Sequence, residues 1–286
     1  MTRFALNQQT PMLCLMLLLG FLSLSLNAHA AKDLVFGATG DAPRGDDEWQ
    51  QFEDQVQDLN KGNKYKFFVH VGDIWYGTES LPKSHYTRVA DILKQSKIPA
   101  YIVPGDNEWN DLDDPAEGWK NWTETFYNFD AHFKTAYVVE HQKDQPENIA
   151  FVKDGVLIIG LNIVGGTVHD KEEWKARHAR SATWVKKQFK DHKDEVRAAV
   201  VFAQARPNDT KHLDFFAPFI DKAKNFEKPV LYLHGDGHHF NVETPWRAEN
   251  VWRVQVDAGN VNPPLEIHVT HDPGEPFRFI RTFFEE

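Results

Sequence analysis

Phe67-Phe68-Val69-His70-Val71-Gly72-Asp73-Ile74-Trp75-Tyr76 decides how this chain is read. Phe67 to Val71 is a run of β-formers without polar alternation, the pattern of a strand covered on both faces. The run breaks at Gly72 and delivers Asp73, with Tyr76 just beyond. In an α/β protein a strand ending on Gly-Asp places a carboxylate in the crevice outside the carboxyl edge of the sheet, where such folds bind ligands.

Outward from this stretch, four more strand-like segments end in a similar way. Residues 33–37 run into Gly40-Asp41-Ala42-Pro43-Arg44, and 98–103 break at Pro104-Gly105-Asp106-Asn107-Glu108. Residues 196–203 end at Gln204-Ala205-Arg206-Pro207, and 229–234 at Gly235-Asp236-Gly237-His238-His239. Helices are expected between them from apolar spacings of three and four: Trp49, Phe52, Val56 and Leu59, with Asp46 as a cap; then Tyr86, Val89, Ile92 and Leu93. Further helices are read over 111–135, 170–192 and 212–225. Residues 136–140, 149–153 and 156–162 read as strands, the last two joined by an Asp154-Gly155 turn. The tail segments 251–256, 265–271 and 276–284 alternate as in an antiparallel meander. The expected class is α/β: two packed mixed sheets with helices outside, a four-layer α-β-β-α sandwich.

Asp41, Asp73, Asp106, Gln204, Asp236 and His238 thus all follow buried strands where the chain turns. Clustered carboxylates repel one another and are stable together when a cation or proton balances them. A metal site is the chemistry this pattern points to. His70, inside the strand before Asp73, reads as buried structure or as a partner of the site.

Residues 1–30 stand apart. Arg3 precedes an apolar run from Pro11 to Leu26, and Ala28-His29-Ala30 offers a cleavage site before Ala31, so a secretory signal peptide is expected. Residues 31–286 are then one exported domain, periplasmic or secreted, with no membrane anchor after cleavage. Cys14, the chain's one cysteine, lies in the leader, so the core is expected to hold without disulfides. Against 42 acidic residues the whole chain has 32 basic ones, a net charge of −10. That balance argues against nucleic acid as a partner. Sequence patterning is silent on oligomeric state.

The ordered blocks Gly40-Asp41, Gly72-Asp73-Ile74-Trp75-Tyr76, Gly105-Asp106-Asn107-Glu108, Val201-Phe202-Ala203-Gln204 and Gly235-Asp236-Gly237-His238 resemble the signature of the calcineurin-like metallophosphoesterase superfamily. The Gly-Asp-x-x-Tyr block is most similar to the purple acid phosphatase branch. The resemblance implies two metals sharing an aspartate, a metal-bound hydroxide attacking phosphorus, and a small phosphorylated substrate. Carried onto this chain, it implies a first metal, Fe or Mn, at Asp41, Asp73, Tyr76 and His238. Asp73 would bridge to a second at Asp106, Gln204 and Asp236.

The chain departs from the family at this second position. Asp106 stands in place of Asn, and Gln204 and Asp236 stand in place of His. Oxygen donors favour Mg, Mn or Ca there over Zn, and occupancy by one metal alone is an alternative. Asn107 replaces the His that polarises the phosphate or protonates the leaving group; its amide can still hydrogen-bond a phosphoryl oxygen. With a tyrosinate counted, the aspartates outweigh two divalent ions by one negative charge, so Arg44 and Arg206 are expected to restore positive charge around the substrate. His239, His169 and His178 are candidates to replace the missing acid, with His239 at the substrate. The expected function is an exported metal-dependent phosphoesterase; the alternative is a non-catalytic metal- or ligand-binding protein on the same scaffold.

Overall fold

The chain begins its described course with β1 (Leu34–Thr39), α1 (Trp49–Leu59), β2 (Phe68–His70), α2 (Lys83–Leu93) and β3 (Ala100–Ile102), two successive βαβ crossovers. This computed structural model describes residues 32–207 and 210–284; the leader, its cleavage point and Cys14 lie outside them. A π-helical turn (Asp106–Asn110) and α3 (Pro115–Phe126) come next, then the hairpins of β4 (Glu140–Gln142), β5 (Gln145–Lys153) and β6 (Val156–Gly160). After α4 (Lys171–His192), β7 (Ala198–Phe202), α5 (Leu213–Phe226) and β8 (Val230–His234), the chain closes with β9 (Asn241–Glu243), β10 (Val251–Gln255), β11 (Leu265–Val269) and β12 (Phe277–Ile280).

These strands form two mixed sheets, ordered β12-β11-β1-β2-β3 and β4-β5-β6-β7-β8-β10-β9. Within the first, β1, β2 and β3 are parallel; within the second, β6, β7, β8 and β10 are parallel. The opening stretch shows why they stack. Phe67, Val69 and Val71 point into the core between the sheets, where they meet Phe151, Val200 and Leu231. Phe68 points the other way, into the layer formed with α1, α2 and α3. A period of two with both sets apolar yields a strand buried on both faces. Each such side chain contributes about 1.5–3 kcal/mol by leaving water. Helices α4 and α5 cover the outer face of the second sheet through Trp184, Phe189, Phe215 and Phe219. The α-β-β-α sandwich expected from the sequence is the fold observed.

Three local expectations change. Asp46 does not cap α1; its carboxylate accepts from the Trp49 indole at 3.0 Å, and the Glu48 cap position carries no side-chain hydrogen bond. Residues 136–139 form no strand: Tyr137 and Val139 pack against the core without a partner strand, and β4 begins at Glu140. The tail is a meander only in its last two strands, β11 and β12, which pair antiparallel. β10 joins β8 in parallel in one sheet, while β11 joins β1 antiparallel in the other. Alternation reports which face of a strand is covered, not which strand lies beside it. No helix among the described residues is long and apolar enough to cross a membrane.

Candidate metal centre

Both parallel sets of strands end at the same crevice, where left-handed backbone turns the side chains inward. Asp41, Asp73, Asp236 and His238 have φ of 54°, 61°, 67° and 62°, four of the seven non-glycine residues with positive φ among those described. Asp and His tolerate this region better than β-branched residues do. Gly72, at φ 89°, lies so close to the next strand end that a Cβ there would stand 2.5 Å from the Gly105 nitrogen. A Cβ on Gly105 would in turn meet Asp73 Oδ1 at 2.0 Å, so two glycines let neighbouring loops nest together. His70 ties these loops: its Nε2 donates to Ala42 O at 2.6 Å, and its Nδ1 accepts from Gly72 N at 3.2 Å. Burial lowers its pKa to about 4, so the ring stays neutral.

The resulting geometry brings Asp41, Asp73 and His238 into one group of ligand atoms within 4.8 Å of one another. Asp73, Asp106 and Asp236 form a second such group, sharing Asp73. Asp41 Oδ2 and Asp73 Oδ1 are buried with no hydrogen-bond partner. Desolvation, then repulsion from Asp106, Asp41 and Glu108, raises the Asp73 pKa well above the usual carboxylate range. Burial takes Asp106 to about 7 and also raises Asp236. Carboxylates so crowded require bound cations or protons. The orphaned oxygens and His238, whose Nε2 lies 3.0 Å from Asp41 Oδ1, make a donor set that fits divalent ions. The two groups are compatible with a binuclear site.

Gln204 reaches this cluster by a different route from that expected of a ligand. Its Oε1 accepts from Gly165 N at 2.5 Å, while its Nε2 donates to Asp73 Oδ2 at 3.0 Å and Asp106 Oδ1 at 2.8 Å. Tyr76 stands on the open side, 66% exposed, its ring stacked on Trp75 at 5.2 Å. Arg44 and Arg206 flank the crevice, each with a buried Nε that has no partner. The hydrogen bond to Asp41 raises the His238 pKa, with the Arg44 charge opposing it, and the Arg206 backbone donates to Asp236 Oδ2 at 3.4 Å. Asn107 is half-buried in the turn that starts at Asp106. His239 is exposed, with Nδ1 2.6 Å from Gly237 O. His178 is enclosed beside Trp174 and His212, its pKa lowered by burial to about 3, so it does not serve as an acid at the centre. His169 packs near Trp109 in a separate hollow of about 580 Å³ between residues 109–127 and 144–180.

The family model for calcineurin-like phosphoesterases matches residues 33–240, from the first strand to just past His238. The chain belongs to the calcineurin-like phosphoesterase family. Among relatives of this family member, the serine/threonine-protein phosphatase CPPED1 of Bos taurus is 34% identical over 104 residues, 32% of this chain and 33% of that protein. The match therefore spans about a third of that relative's length. The fold is similar to a dimetal phosphatase from Danio rerio, with a TM-score of 0.58 at 9% identity, covering 88% of this chain and 99% of that one. It is also similar to GAP50, the anchor in the inner membrane complex of Plasmodium (TM-score 0.55, 12% identity, 89% and 90% covered). A 5'-nucleotidase from Candida albicans shares it too (TM-score 0.56, 14% identity, 89% and 52% covered). At these identities the likeness is one of fold.

Several residues around this centre carry no expectation from the sequence reading. Glu108 is fully buried; one carboxylate oxygen accepts from Gly105 N at 2.5 Å and the other has no partner. Its pKa is raised by burial to about 8. Glu108 lies inside a quoted block, yet nothing in its spacing separates it from a solvated glutamate. Lys211 places positive charge near Asp236. Behind the His238 loop, Arg253 donates from Nε to His234 Nε2 at 2.8 Å, and Gln255 Nε2 donates to His239 O at 2.6 Å. A Cβ on Gly237 would stand 2.1 Å from Gln255 Oε1, so the loop rests directly on that amide. Only the pairing of β10 with β8 brings these partners into place.

Proposed function

We propose that this protein is an exported, metal-dependent phosphoesterase acting on a small phosphorylated substrate. The observation that carries the reading is the pair of ligand groups sharing Asp73, at an edge where two arginines have unpaired buried nitrogen atoms. Divalent ions held by Asp41, Asp73 and His238, and by Asp73, Asp106 and Asp236, would supply charge to the phosphoryl oxygens and acidify a water molecule. The chain's own groups do the rest. Arg44 and Arg206 approach from opposite loops and offer guanidinium donors to phosphate oxygens. The Asn107 amide donates to a phosphoryl oxygen but cannot protonate a leaving group. A missing acid slows reactions by about 10²–10⁴ when the leaving group is poor, so the reading favours substrates whose alcohol or phosphate departs readily. Export rests on the leader pattern in residues 1–30.

Hydrolysis of an activated aryl phosphate in the presence of Mn²⁺, Mg²⁺ or iron tests this reading. Turnover that chelation abolishes is expected, with KM raised roughly tenfold in Arg44→Ala and Arg206→Ala by loss of charge-assisted hydrogen bonds. Absence of turnover on mono-, di- and anhydride phosphates with any of these ions would leave the second reading, a binding protein on this scaffold. That reading is favoured by the orientation of Gln204, which donates where a ligand would accept. Tyr76 ligation, the mark of the purple acid phosphatase branch, belongs to the same proposal. A ferric-loaded protein should then show a visible band that Tyr76→Phe removes.

A further inference from the structure

The two halves of the centre differ in what their neighbours leave available. Around Asp41, Asp73 and His238, buried carboxylate oxygens are unpaired and an imidazole stands at the open side. Around Asp73, Asp106 and Asp236, one amide is already engaged with two of the three carboxylates. Its orientation is set from behind. The Gly165 N–H is buried, and Gln204 Oε1 is its acceptor at 2.5 Å. Turning the amide over would set an NH₂ group against that N–H, and would aim its oxygen at two carboxylate oxygens that now accept from Nε2 at 3.0 and 2.8 Å. Both changes forfeit hydrogen bonds in a buried setting, where no water replaces them.

Gly165 also limits the space. A Cβ there would lie 3.0 Å from Asp106 Oδ2 and 3.1 Å from Asp236 Oδ1, so the backbone of this loop walls the second group on one side. The loop is pinned: Asp111 Oδ1 accepts from Thr167 N at 2.7 Å, and Asn110 Nδ2 donates to Thr167 O at 3.0 Å.

We infer that the centre is unequal, with one tightly held divalent ion at Asp41–Asp73–His238 and a weakly held, exchangeable one at Asp73–Asp106–Asp236, because Gln204 braces the second group as a hydrogen-bond donor instead of ligating. An ion entering the second position meets carboxylate oxygens and no imidazole, so Mg²⁺ or Mn²⁺ suits it better than Zn²⁺. The free concentration of such an ion then controls how full the centre is. This inference rests on the metal-binding part of the proposed function and not on turnover.

Metal titration of the full chain, freed of ions by chelation and dialysis, tests it without any substrate. Calorimetry with Mn²⁺ should show one tight site and a second about 10–100-fold weaker, the scale by which neighbouring hydrogen-bond partners tune metal affinity. At one equivalent, the electron paramagnetic resonance spectrum should show isolated Mn²⁺ without coupling between ions. Gln204→Glu keeps an acceptor for Gly165 and replaces the donor by a ligand oxygen. It should tighten the second ion by at least about tenfold and bring out a spin-coupled pair at two equivalents. Two ions bound equally tightly by the natural chain would overturn the inference while leaving the phosphoesterase reading standing. So would a Gln204→Glu protein whose second ion binds no tighter. Failure to bind any ion would overturn both.

Discussion

The three parallel strands of the five-stranded sheet all run out into Gly-Asp: Gly40-Asp41, Gly72-Asp73 and Gly105-Asp106. The strands facing them from the seven-stranded sheet run out into Ala203-Gln204 and Gly235-Asp236-Gly237-His238. One edge supplies negative charge, held by close backbone contact and by His70. The other supplies the Gln204 amide, the Asp236 carboxylate and the His238 imidazole, the last loop resting on long side chains that reach in from β10. The difference teaches that most of the charge comes from one layer of the sandwich and most of its adjustment from the other, the second layer adding the single carboxylate of Asp236.

That division can be broken most severely at Asp73, the one residue common to both ligand groups. Asp73→Ala should lower kcat by about a thousandfold or more, corresponding to about 4 kcal/mol of lost stabilisation. Steady-state hydrolysis at saturating Mn²⁺ measures it. On the opposite edge the expected effect is smaller. Gln255→Ala removes the support beneath Gly237 and the hydrogen bond to His239 O, and should weaken metal binding about 10–100-fold while leaving the secondary structure intact. Metal titration followed by circular dichroism separates the two consequences.

The mildest test sharpens the contrast by pH. Burial raises Asp106 to about 7 and Glu108 to about 8, both above their values in the unfolded chain. These two carboxyls bind more protons in the folded metal-free protein than in the unfolded one, whereas His70 and His178, kept neutral by burial, act the other way below about pH 6.5, so stability should fall as pH rises from about 6.5 to 8. Chelated protein should show a Tm that declines from about pH 6.5 to pH 8, and saturating Mn²⁺ should reduce the decline. Thermal scans at each pH would refute this if the chelated Tm were flat or rising.

How much of this was legible beforehand follows the same division. Gly-Asp after a β run is a local signal, so Asp41, Asp73 and Asp106 could be found by reading along the chain. The sandwich followed from alternating strands and helices with fully apolar strands. Gln204 could be located for the same reason, but not its orientation, because an amide is a donor or an acceptor according to what lies behind it. Gly165 lies behind it, in a loop with no motif. Gln255 and Arg253 were hidden because their strand pairs with β8 although β9 comes between them in the chain, and side-chain alternation does not encode a neighbour. Glu108 was hidden because burial, not residue type, gives it its character.

The left-handed backbone at residues 41, 73, 236 and 238 has a bearing on how such a centre can be lost. Asparagine and glycine occupy that conformation readily, and each lies a single base change from aspartate in the genetic code. At the three aspartates, the mildest replacements for the fold are therefore the ones that extinguish the charge. A lineage of this protein could fall silent in one step and still fold, which makes the scaffold easy to convert from a tool into a fixture.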